Sequence, residues 1–164
     1  MSEFKFPTEE IDLPSKGLLY PKDSPLASGT IEMKYMTAKE EDILTNPNYL
    51  AKGTVIDKLL QALIISKVNY SDLVIGDQNA IMIAARILGY GKDYEFNYGG
   101  FSQKVDLTTL EDKEFDETLI TPHTNEFTFV LPHSKIELTF KVLTVGDGVK
   151  MRKELEGLKK LNKE

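Results

Sequence analysis

The strongest periodic signal in the chain is Ile56, Leu59, Leu60, Leu63 and Ile64, spaced i, i+3, i+4, i+7 and i+8. That spacing lays one apolar stripe along an α-helix, which must pack on another surface. Thr54 stands where a cap is needed, after Gly53. Ile81, Ala84, Ala85 and Leu88 predict a second helix over 77–88, ended by Gly89 and Gly91, with two alanines allowing close approach to the first. Thr37 and Glu40 have the spacing of a capping box, predicting a short helix that stops near Asn46-Pro47 and buries Ile43 and Leu44 at most. Elsewhere the period is two. Ile31, Met33 and Tyr35 share one face of a strand over 30–36. Tyr94 and Phe96 alternate up to an Asn97–Gly100 turn, and 101–107 returns. Phe127, Phe129 and Leu131 alternate before Pro132–Lys135, then Ile136, Leu138, Phe140 and Val142 alternate again. An acidic loop occupies 108–118. Thr144–Asp147 caps a last helix carrying Met151, Leu155, Leu158 and Leu161. The expected fold is α+β: an extended arm and first strand (1–36), a helical lobe (37–91), antiparallel hairpins (92–143) and a C-terminal helix (144–164).

Residues 1–29 hold four of the seven prolines and little helical periodicity. Within them, Ile11 to Pro21 is an apolar, turn-rich arm. Pro14 and Pro21 fix their own φ and extend the residue before them, and Gly17 permits a tight bend. Leu18, Leu19 and Tyr20 are too apolar to stay solvated without reason. Such an arm either packs on its own domain or is received by a partner subunit. The second reading makes Leu13, Pro14, Leu18, Leu19 and Tyr20 partner-binding residues, together with Met151, Leu155 and Leu158 of the last helix.

Composition narrows the classes. A net charge of −6 disfavours nucleic acid and anionic membrane surfaces, which require basic patches. No cysteine is present, so disulfides, thiolate catalysis and cysteine-held metals are excluded. No apolar run approaches the ~20 residues that span a bilayer. Met1–Lys5 has no apolar core of a signal peptide. These features predict a soluble protein of a cytoplasm.

Candidate chemistry is sparse. His123 and His133 stand alone in proline-flanked loops, without acidic partners at fixed offsets, and read as solvated. Gly-x-Ser-x-Gly and the phosphate-loop motif are both missing. Gly89-Tyr90-Gly91 lacks a third glycine and follows a helix. Glu40-Glu41-Asp42 suits a solvated first helical turn better than an acid/base or metal site. A hydrolase using those acids is outranked by a non-enzymatic binding or assembly role with no cofactor and no metal.

The order of segments carries a further signal. Leu13-Pro14-Ser15-Lys16-Gly17-Leu18-Leu19-Tyr20-Pro21 leads to Gly29-Thr30-Ile31-Glu32-Met33. Then come Met36-Thr37-Ala38-Lys39-Glu40-Glu41-Asp42-Ile43-Leu44-Thr45, Lys52-Gly53-Thr54-Val55-Ile56-Asp57-Lys58-Leu59-Leu60, Leu73-Val74-Ile75-Gly76-Asp77 and Ala85-Arg86-Ile87-Leu88-Gly89-Tyr90-Gly91. This succession, over roughly residues 11–107, resembles the baseplate hub assembly protein family of T-even-type contractile-tailed bacteriophages. The resemblance implies a morphogenesis factor that contacts hub and tape-measure subunits in the host cytoplasm, without catalytic residues. A permanent subunit of the virion baseplate is the alternative. Relatives often carry a paired-cysteine knuckle after the Tyr-Glu-Phe strand, where this chain has Asn97-Tyr98-Gly99-Gly100-Phe101. Oligomeric state stays open, because a narrow apolar stripe serves a self-dimer and a foreign partner equally well.

Overall fold

The computed structural model describes residues 7–161; the signal-peptide reading of Met1–Lys5 lies outside them. The protein is α+β, with three two-stranded antiparallel sheets and five α-helices among the described residues. Strand β1 (Thr8–Asp12) pairs with β2 (Thr30–Lys34) in a register that sets Ile11 opposite Ile31. Helices α1 (Ala38–Leu44), α2 (Pro47–Ala51), α3 (Val55–Leu63) and α4 (Ile75–Tyr90) follow. Strands β3 (Asp93–Tyr98) and β4 (Phe101–Asp106) form one hairpin, β5 (Phe127–Val130) and β6 (Glu137–Phe140) another, and α5 (Val145–Leu161) ends the chain. Helix α2 was not expected from the sequence. Pro47 occupies its first turn, and the Asn46 side chain accepts from the Asn48 and Tyr49 amides. The expected stop is therefore also a start.

One core holds the molecule together. Leu59, Leu60 and Leu63 of α3 pack with Ile81 and Ala85 of α4, Ile31 and Met33 of β2, and Leu13, Tyr20 and Leu26 of the N-terminal segment. Val145 at the root of α5 closes it. The expected stripe is buried in its middle only. Ile56 remains exposed, and Ile64 leaves the helix to bridge Met33. Tyr35, expected on the buried face with Ile31 and Met33, lies beyond the strand's end and is exposed.

The arm is extended with turns, as its prolines and Gly17 predict, and it packs on its own domain. Its first part is β1. The rest winds through turns, with the Leu13 amide donating to Gly29 O at 2.8 Å. Leu13 and Tyr20 are each only 2% exposed, so both are core side chains rather than partner contacts. Leu19 is half-buried against the core.

The acids of α1 hold a second correction. Glu40 is not solvated but 2% exposed. Burial pushes its carboxyl up. The Lys34 ammonium at 2.7 Å and two Thr37 donors outweigh burial and hold the carboxyl at about 2. Because the folded value lies below the ordinary 4.5, this contribution is complete above pH 4.5 and lost as pH falls toward 2. Acid titration of unfolding should thus show a Glu40→Gln protein with a shallower stability loss over that window than the wild type. Parallel curves would show that Glu40 is not a source of the acid sensitivity.

Candidate partner-binding surfaces

A polar node pins the arm to the helical lobe. Asp77, in the first turn of α4, is 1% exposed. Its Oδ1 accepts the Ser15 amide at 2.9 Å, and its Oδ2 accepts the Ser15 hydroxyl at 2.7 Å and the Tyr20 hydroxyl. Tyr20 Oη in turn accepts the Val74 amide at 3.1 Å. Burial first, then the Asp77 carboxylate, pushes the Tyr20 hydroxyl well above its ordinary range. The node is fully bonded and closed to solvent, so its chemistry is structural. Sequence reasoning placed Asp77 only at a helix start. The missed signal is a serine and a tyrosine in an apolar arm, each needing an acceptor once buried.

The loop between the hairpins folds back over this arm. The His123 amide donates to Leu18 O at 2.6 Å, and its Nδ1 lies 3.2 Å from Tyr20 O. Lys16 pairs with Glu117 and sits over the Phe115 ring. His123 is therefore a latch on the arm, not a free loop histidine. Pro14 and Leu19 edge a shallow cleft with Phe115, Ile120 and Val142. Of the proposed arm contacts, Pro14, Leu18 and Leu19 remain partly accessible.

Exposed apolar surface gathers elsewhere. On β5–β6, Phe127 pairs with Phe140 and Phe129 with Leu138, which puts four apolar side chains on one face. Phe127 and Phe140 stack at 5.6 Å. Phe129 and Phe140 are still 53% and 54% exposed, and Ile136 and Leu138 are exposed beside them. A lone two-stranded hairpin is marginally stable in water. This one is tied at its root, where Asn125 donates to Val142 O at 2.8 Å and accepts the Val142 amide at 2.9 Å.

The β3–β4 hairpin turns through Gly99-Gly100 and is exposed along most of its length. Its tip sets Tyr98 opposite Phe101, both open to solvent. Arg86, near the end of α4, holds its root. The guanidinium donates to Gly91 O at 3.1 Å and Asp93 O at 3.4 Å and lies against the Tyr90 and Tyr94 rings. Below that root is an apolar groove of about 480 Å³ between α1, α3 and α4, lined by Leu44, Ile56, Leu59, Met82, Tyr90 and Tyr94 among others.

Helix α5 starts in a capping box. Thr144 donates through its amide and hydroxyl to Asp147 Oδ2, and the Asp147 amide donates back to Thr144 Oγ1 at 3.2 Å. Its root is buried at Val145, but 150–161 is exposed throughout. Met151, Leu155 and Leu158 thus form an unpartnered stripe, distant in character from the buried arm residues named with them.

No protein family, curated protein or solved structure matches the chain. No helix among the described residues is long and apolar enough to cross a membrane.

Proposed function

We propose that this protein is a non-enzymatic assembly factor acting through protein–protein contacts, its targets being hub and tape-measure subunits of a contractile phage tail. The observation that carries the binding role is the solvent-facing apolar side of β5–β6, where Phe129, Ile136, Leu138 and Phe140 have no core behind them. Monomeric proteins rarely leave such contiguous apolar surface uncovered unless it meets a partner. The identity of the targets rests on the segment order from Leu13 to Gly91. With the arm drawn into the core, the partner-facing role passes from Leu13 and Tyr20 to the hairpin faces. Both β5 and β6 also offer a free backbone edge for strand addition.

Tagged protein recovered from infected cells should bring down hub and tape-measure subunits. A Phe129→Ser/Leu138→Ser variant should lose them while its unfolding free energy changes by less than about 1 kcal/mol, because both side chains are already solvated. Equal recovery by the variant would remove the hairpin from the interface. Presence in purified particles at a fixed ratio would mark a permanent subunit instead of a transient factor.

A further inference from the structure

We infer that the groove between α1, α3 and α4 binds a small apolar acid, with an alkyl or aryl tail in the groove and a single carboxylate on Arg86. At about 480 Å³ the groove falls within the range of sites for one small molecule, roughly 300–1,000 Å³. Its make-up fits as well: apolar and aromatic walls, with one charged side chain among them. Ile56, Met82, Tyr90 and Tyr94 line it and remain exposed, so four large side chains ring a concavity that no described residue fills.

Charge selects the occupant. Of the lining residues only Arg86 is charged. Two of its five N–H groups go to Gly91 O and Asp93 O, which leaves three for a ligand. The acids next to lining residues in sequence are engaged elsewhere. Asp57 lies 3.8 Å from Arg152, Asp93 2.9 Å from Lys104 and Asp106 2.7 Å from Lys92. Among the described residues no carboxylate pairs with Arg86. Its guanidinium, half-buried against the Tyr90 and Tyr94 rings, therefore keeps an unneutralised charge beside an apolar groove.

The same geometry narrows the head group. A planar guanidinium matches a carboxylate, two donors facing two oxygens. A phosphate monoester carries nearly two charges, and no second cation lines the groove to share them. Arg86 also lies toward the C-terminal end of α4, where the helix dipole disfavours further negative charge. An organic cation is repelled, because Arg86 already lies over the two tyrosine rings. A neutral apolar molecule fills the groove but leaves the guanidinium without a counter-charge. One molecule with a tail and one carboxylate satisfies both. This site is independent of the hub and tape-measure reading.

Methyl NMR of the full chain at neutral pH reads the site, with decanoate, decan-1-ol and decyltrimethylammonium as one tail with three heads. Decanoate should shift the Ile56 and Met82 methyls along a single saturable curve. Decan-1-ol should bind there about tenfold more weakly, the worth of one charge-assisted contact. Decyltrimethylammonium should leave both methyls in place. Arg86→Gln should bring decanoate and decan-1-ol to equal affinity. Arg86 also holds the hairpin root, so the three-head series on the wild type stands even where that variant loses its circular dichroism. Equal binding of decanoate and decan-1-ol by the wild type overturns the proposal, as does a folded Arg86→Gln protein that still prefers decanoate. Shifts confined to Ile136 and Leu138 of the β5–β6 hairpin mark amphiphile binding at that exposed face only, and overturn it too. Binding of none of the three overturns it and leaves the groove to a protein partner. Shifts of Ile56 and Met82 on raising protein concentration alone would give the groove to a second copy and likewise overturn it.

Discussion

Asp77→Ala should lower the unfolding free energy by about 3–5 kcal/mol, a large share of the total for a domain of this size. Three donors lose their acceptor at once: the Ser15 amide, the Ser15 hydroxyl and the Tyr20 hydroxyl. All three are buried, so each keeps its desolvation cost without a bond in return. The arm is then released from α4, and the core contacts of Leu13 and Tyr20 weaken with it. Asp77→Asn, which retains one acceptor oxygen but turns an amide group toward donors, should fall between wild type and alanine. Urea unfolding followed by circular dichroism reads both. A loss under 1 kcal/mol for alanine would mean that the node does not pin the arm.

Gly17→Ala is expected to cost about 3 kcal/mol or more. Gly17 sits at φ +76°, where any side chain is strained by roughly 1–2 kcal/mol. A Cβ there would also stand 2.4 Å from Ala27 O and 2.8 Å from Gly29 N. Those are backbone atoms of the turn that receives the Leu13 amide, so relief requires moving the chain that organises the arm. Gly53→Ala is the control: its φ is +62°, but a Cβ there meets open space. It should cost only the backbone strain. Thermal unfolding of the two variants side by side separates the terms, and equal shifts would show that the close approach at Gly17 is relieved without loss.

Both large effects act on the arm, the segment whose fate local sequence left open between two readings: Gly17 lies in it and Asp77 of α4 holds it. The period-two alternation of Ile136, Leu138 and Phe140 is the same for a hairpin covered by a core and for one left in water. Likewise Glu40 has the spacing of a capping residue in either environment, and it is Lys34, six residues away across the end of β2, that makes its burial tolerable. The groove was invisible for a similar reason. Its walls come from Leu44, Ile56, Met82 and Tyr94, which no single period relates.

What the sequence alone determined is what depends on neighbours within a turn or two. Helix α3 with the middle of its stripe, the Thr37–Glu40 and Thr144–Asp147 boxes, the turn between β3 and β4, and the alternation of β5 and β6 all follow from spacing and local hydrogen bonding, and all are present. Tertiary structure alone decided which apolar residues are core and which are surface. Ser15 and Asp77 are 62 residues apart, and Tyr20 and His123 are 103 apart. Their meeting draws Leu13 and Tyr20 inward. The arm thereby becomes part of the core, while the apolar faces of β5–β6 and α5 lie outside it.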